Sequence, residues 1–339
     1  MQNGSRQDAR RILGRTGRKV GVIGLGTWQL GADWGEVDEA AALGTLHAAL
    51  DAGIDLLDTA DVYGDGRSER IIGRLLAERA AAGEPAESLT VATKMGRKLP
   101  QVAENYVLEH FREWTDGSRA RLGVDVLDLV QLHCPPDAVF HSDEVFDALD
   151  VLVAEQRIAA YGVSVETCAQ ALAAIARPGV ATVQIILNPF RLKPLEQVLP
   201  AAAAAGVGIV ARVPLASGLL SGRYTASTEF GADDHRTYNR SGAAFDVGET
   251  FSGVDYSLGL AAVDRLRPLV PSGATLAQFA LRWIADQPAV SVVIPGARDG
   301  AQARANAAVA AFPPLAPPIH EAVHAVYEEL IRPTVHPRW

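Results

Sequence analysis

Cysteine is nearly absent. Only Cys134 and Cys168 occur in 339 residues, which excludes a disulfide framework or a thiolate metal site and suits a reducing compartment, the cytoplasm being the simplest address. Long apolar runs are missing too, since none approaches the ~18 residues of a membrane span. The polar opening Met1–Arg11 has no apolar signal-peptide core and reads as a flexible tail over 1–10. Basic charge is in deficit, with 31 Lys and Arg against 40 Asp and Glu and a net charge of −9. That balance gives no field for nucleic acid and favours a small-molecule partner. No heptad or evident apolar face marks a subunit interface. A GxGxxG turn followed by an acidic residue ~20 positions later is absent as well. Gly24, Gly26 and Gly31 are the nearest approach, at the wrong spacing, so an open dinucleotide-binding sheet is disfavoured.

What is present is a rhythm. The apolar runs Ile54–Leu57, Leu89–Thr93, Val126–Leu132, Ala160–Val163 and Val183–Leu187 lead directly to Asp58, Lys94, His133, Ser164 and Asn188. Helical spacing follows or intervenes over Tyr106–Leu122, Val145–Ala154, Thr167–Ala176, Leu195–Ala205 and Thr275–Gln287, with further strands at Val207–Val213 and Val290–Ile294. Alternating β and α without a long polar linker predicts a parallel sheet, closed here into an α/β (β/α)8 TIM barrel spanning 11–339 as one domain. In such barrels chemistry gathers at the C-terminal ends of strands, where these polar residues fall.

Two segments depart from the rhythm. Arg11–Gly14 and Lys19–Val22 flank Arg15–Arg18 as an N-terminal β-hairpin, placed to plug the barrel floor. Tyr224–Val254 has no apolar period and reads as a long loop on the C-terminal face, a lid or substrate loop, with disorder in the free protein as the rival reading. A last helix is expected over Ile319–Ile331, ahead of Pro333.

Asp58 and Tyr63 lie five apart, so the carboxylate ends a strand while the phenol sits in the loop above it. A phenol is a poor acid near neutrality unless a cation stabilises the phenolate, and a buried Lys held by a carboxylate supplies one. Asp58, Lys94 and Tyr63 form such a relay, and His133 would donate to a carbonyl oxygen. Lys94 as a Schiff-base amine is disfavoured, because a paired, charged Lys is a poor nucleophile. Cys134 reads as a small buried hydrophobe with no base beside it.

The stretch Asp58-Thr59-Ala60-Asp61-Val62-Tyr63-Gly64, the Thr93-Lys94 strand end and the Leu132-His133 strand end together resemble the aldo-keto reductase family. The likeness runs from about Arg11 to Asn306 and beyond. It implies NADPH-dependent reduction of an aldehyde or ketone, with aromatic and sugar carbonyls as candidates, and Tyr63 as general acid. Asp58, Lys94 and His133 would complete the catalytic set. The cofactor-binding residues implied are Gly26, Thr27 and Trp28 in the first loop, with Asp58, Ser164 and Gln184 beside the nicotinamide. Pro214, Leu215, Ser217, Gly218, Leu219 and Arg223 would wrap the pyrophosphate, and Gly296, Arg298, Gln302 and Asn306 the adenosine end. The spacing of four puts Arg298, Gln302 and Asn306 on one helix face, with Arg298 forked onto a 2′-phosphate. No metal is implied.

The chain departs from the family pattern at Val165, where many members carry Asn, and at Arg212, where many stack a Tyr on the nicotinamide. A planar guanidinium can also stack. These features resemble bacterial branches akin to channel β subunits and to aryl-alcohol or sugar reductases. An NADPH-binding sensor with slow turnover is the alternative. Substrate walls are expected from Trp28, Trp34, Phe140 in the loop after His133, and parts of Tyr224–Val254.

Overall fold

The chain opens on a hairpin of β1 (Arg10–Ile12) and β2 (Lys19–Gly21), paired antiparallel with Arg11 opposite Val20. The structure, a computed structural model, describes residues 10–31 and 38–339. Residues 1–9 of the tail expected over 1–10 and the wall residue Trp34 lie outside the described residues, whereas Arg10, the last residue of that expected tail, belongs to β1.

Eight parallel strands follow in sequence order: β3 (Leu25–Gly26), β4 (Leu56–Asp58), β5 (Thr90–Met95), β6 (Leu129–His133), β7 (Tyr161–Ser164), β8 (Val180–Ile186), β9 (Gly208–Arg212) and β10 (Val290–Val293). Parallel bridges Ile23–Val293 and Gly26–Gly296 bring the last strand back to the first, and the sheet becomes the expected barrel. Helices such as Glu39–Asp51, Arg67–Ala81, Leu108–Leu122 and Leu276–Ala285 cover it outside. Sandwiched on both faces, β8 is buried at every residue, the polar Thr182 and Gln184 included. Capping boxes at Thr167/Gln170 and Thr275/Gln278 start two of the outer helices.

The interior of the barrel is a small apolar cluster in which Leu56, Ala92, Leu129, Val210 and Val292 meet Leu13 and Val20 of the hairpin. The hairpin therefore plugs the floor, as its position suggested. Gly14 makes this approach possible: at φ +51° it abuts the sheet so closely that a Cβ would lie 2.1 Å from the Ala181 carbonyl oxygen. Arg15 pins the same turn by donating to the carbonyls of Ala205, Arg177, Pro178 and Val180 at 2.7–3.2 Å.

Some boundaries move. Asp58, His133 and Ser164 are the last residues of their strands, Lys94 is the penultimate residue of β5, and Asn188 lies two past β8. The helix expected from Tyr106 begins at Leu108, because Val107 is extended and Tyr106 turns its ring into the core against Phe111 and Trp114. The C-terminal helix starts at Pro317 and passes through a π-turn over Tyr327–Ile331 into Arg332–Val335. Pro333 does not stop it, since a proline in the first turn of a new segment has no internal donor to lose. Among the described residues no helix is long and apolar enough to cross a membrane.

Candidate active site

Lys94 is sealed beneath the barrel mouth, 1% exposed. Its ammonium is ion-paired to Asp58 Oδ1 and donates to the Thr59 carbonyl at 2.9 Å and to the Tyr63 hydroxyl at 3.3 Å. Asp58 Oδ2 accepts from Gln184 Nε2 at 2.8 Å and from Gln131 Nε2 at 3.2 Å, so the carboxylate is held from both sides. Burial opposes the charge on Lys94, but Asp58 and then Tyr63 hold its pKa above the ordinary lysine value. Burial likewise raises the Tyr63 phenol, with the Lys94 charge pulling the other way. At neutral pH the site thus presents a protonated phenol backed by a fixed cation.

His133 stands beside Tyr63, the two rings edge to face with centroids 6.0 Å apart. Burial, then the charges of Arg97, Lys94 and Arg212, push its pKa well below 6.5. The imidazole is neutral, and its Nδ1 is buried with no hydrogen-bond partner among the described residues.

Above these groups opens a cavity of about 830 Å³. Asp58, Tyr63, His133, Gly26, Thr27, Trp28, Ser164, Gln184, Arg212, Pro214, Leu215, Ser217, Gly218, Arg223, Gly296, Arg298, Gln302 and Asn306 all line it. Two sequence-derived candidates do not. Lys94 lies behind Tyr63, and Leu219 points into the hydrophobic core.

The 213–218 segment runs through left-handed backbone at Val213 (φ 50°), Ala216 (46°), Ser217 (52°) and Gly218 (95°). Three of these are not glycine, a conformation that costs on the order of 1 kcal/mol each and persists only when the surroundings enforce it. Here the Ser217 hydroxyl does so, donating to the Glu249 carbonyl at 2.9 Å and accepting from the Phe251 amide at 3.0 Å. Turns of this kind aim backbone N–H groups into a concavity that suits phosphate oxygens. At the far end, Asn306 Nδ2 donates to the Gly296 carbonyl at 3.2 Å and Gln302 Oε1 accepts from the Arg298 amide at 3.1 Å. The helix there is Gly300–Ala307, capped by Asp299, so Arg298 lies before it and does not share a face with Gln302 and Asn306. Asp299 is a good N-cap, and that ends the helix one residue short of Arg298.

Arg212 is not free to swing over a ligand. Its guanidinium is ion-paired to Glu249, donates to Glu166 at 2.9 Å and to the Val165 carbonyl at 3.0 Å, and approaches Cys134 Sγ at 3.8 Å. The ligating atoms of Cys134, Glu166 and Glu249 converge within 4.8 Å, yet the charge they surround is this guanidinium. Burial raises the Cys134 thiol to about 12, so it is no thiolate.

Other expectations need correcting. Phe140 is a core residue, not a wall, and Asn188 staples the long loop by donating to Ser252 Oγ at 2.7 Å and to the Val213 carbonyl at 2.9 Å. The loop itself carries short helical turns, His235–Tyr238 among them, and supplies His235, Phe245 and Glu249 to the cavity. Of the cavity residues that sequence reasoning missed, Arg97 lies three past Lys94, where the strand-end rule already pointed. Glu249, within the long loop, carried no such signal; Glu166, which pairs with Arg212 from behind the cavity lining, lies two past Ser164 and so falls under the same rule as Arg97.

A (β/α)8 barrel with these groups at its mouth defines a barrel oxidoreductase. The sequence model of the Aldo/keto reductase family matches residues 22–328, and the chain belongs to that family, whose members act on small-molecule carbonyl compounds. It is 32% identical over 293 residues to aldo-keto reductase YhdN of Bacillus subtilis, covering 86% of this chain and 85% of that one. It is 38% identical over 234 residues to 6-dehydroglucose reductase of Novosphingobium aromaticivorans, covering 66% and 74% respectively. The solved structure of a glycerol dehydrogenase from Gluconobacter oxydans matches with a TM-score of 0.76 at 31% identity, over 96% of each chain.

Proposed function

We propose that this chain is an NADPH-dependent carbonyl reductase with Tyr63 as its general acid. The observation that carries the reading is the Tyr63 hydroxyl at the cavity floor, 3.3 Å from an ammonium that Asp58 holds charged. When bound, NADPH supplies a hydride to the carbonyl carbon. Tyr63 gives its proton to the carbonyl oxygen, and Lys94 stabilises the phenolate left behind. Asp58 keeps Lys94 charged and in place. Neutral His133 orients the carbonyl oxygen by donating an N–H to it.

The cavity fits the dinucleotide at three places. The left-handed run at Val213–Gly218 suits the pyrophosphate. The Gln184 amide nitrogen is committed to Asp58, which leaves its carbonyl oxygen, beside Ser164, for the nicotinamide carboxamide. Arg298, exposed at the adenosine end, suits a 2′-phosphate. Replacing Arg298 with Ala is expected to weaken NADPH ~10-fold or more and NADH hardly at all, by titration of each cofactor. Equal weakening of both would remove Arg298 from the phosphate.

The reading is tested by adding aldehydes, ketones and keto-sugars to the purified protein with NADPH and following the near-ultraviolet absorbance of the reduced nicotinamide. Loss of absorbance with any carbonyl compound is expected. Tight binding of NADPH without turnover would favour a cofactor-sensing protein instead.

A further inference from the structure

We infer that the carbonyl compounds this site is built for carry hydroxyl groups next to the reacting carbon, and that Arg97 and Glu249 read those hydroxyls. The inference rests on the reductase reading and narrows its substrate class.

Arg97 and Glu249 both line the cavity shared with Tyr63 and His133. Arg97 is fixed by its Nε, which donates to the His133 carbonyl at 3.1 Å. Its Nη2 reaches Glu166 only at 3.5 Å, and among the described residues its Nη1 has no partner. Glu249 commits Oε1 to Arg212, while Oε2 has no partner among the described residues. Neither open atom is sealed off from the cavity. One donor and one acceptor therefore stay available at the chemical end of the site.

The charges around them balance: Arg97 and Arg212 face Glu166 and Glu249. A carboxylate or phosphate on the substrate would meet Glu249, and an ammonium would meet Arg97. A hydroxyl both donates and accepts, and so satisfies the pair without adding charge. An apolar aldehyde would instead cover both groups and leave them without water or partner, a loss that sites built for hydroxyls convert into strong discrimination. Trp28 provides the complementary surface for the C–H faces of a hydroxylated chain. Its indole lies at 26° to the Tyr63 ring, with centroids 6.2 Å apart, and Phe245 meets it edge-on at 5.9 Å.

The test compares kcat/KM for glyceraldehyde with that for propanal, which has the same three carbons and no hydroxyls, in the wild type and in the Arg97→Met and Glu249→Gln variants, with benzaldehyde as a carbonyl control. The wild type is expected to prefer glyceraldehyde by ~10-fold or more, and each variant to bring the ratio toward one. Two results would overturn the inference while leaving the reductase intact: a wild-type ratio near one with both aldehydes reduced, or a ratio that neither variant moves. NADPH bound but oxidised by none of the three aldehydes would overturn the reductase reading and the inference with it.

Discussion

Replacing Tyr63 with Phe is expected to lower carbonyl reduction by about three orders of magnitude while changing NADPH affinity less than about twofold. The phenol lies over Lys94 at the cavity floor and carries the proton, whereas the cofactor contacts proposed above come from other residues. Phe keeps the ring that packs against Trp28 and His133, so the loss is chemical rather than structural. Steady-state rates with one good carbonyl substrate, together with a cofactor titration, check both halves. A Tyr63→Phe variant reducing carbonyls at the wild-type rate would show that the proton comes from elsewhere. Lys94→Met is a poorer test, since it strands the buried Asp58 carboxylate and costs several kcal/mol of stability as well as activity.

The second large effect concerns Asp61, in the turn between Asp58 and Tyr63. Its side chain is fully buried, and neither carboxyl oxygen makes a hydrogen bond among the described residues. Burial, reinforced by the nearby Glu69 carboxylate, pushes its pKa up to about 7 against the pull of Lys98 and Arg121. A carboxyl whose pKa is raised by folding binds its proton more tightly in the native state. Its contribution is complete below pH ~4 and is lost as the pH climbs to ~7, a span worth about 4 kcal/mol at most. Asp61→Asn cannot ionise and escapes that loss. Denaturant unfolding of the two proteins at several pH values is expected to show the stability difference moving toward the Asn variant between pH ~4 and ~7, then levelling off. A difference independent of pH would mean that Asp61 ionises as an ordinary surface carboxyl does.

Much of the site was legible because strand ends are legible. The apolar runs before Asp58, Lys94, His133 and Ser164 end one or two residues before the strands do, and barrel geometry brings those ends to one mouth. Asn188 obeyed the same rule yet points elsewhere, since two residues beyond β8 are enough to turn its amide toward Ser252. The hairpin was readable from its turn, but the need for glycine at position 14 was not, because it arises from the backbone of β8 and β9. Least legible was the environment of Arg212. Its sequence neighbours say nothing of Glu249, thirty-seven residues on, and only the folded loop shows that the guanidinium is tied at its edges. Asp61 shows a related limit: in sequence it is one more acidic loop residue, and only burial makes it a group that holds its proton.

The most direct test of the central claim is a single turnover with NADPH carrying deuterium at its transferable position, followed by analysis of the alcohol formed. Deuterium at the former carbonyl carbon, with the hydroxyl proton drawn from solvent, is the predicted result. NADPH held tightly while the carbonyl compound is recovered unchanged, or an alcohol without the label, would contradict it.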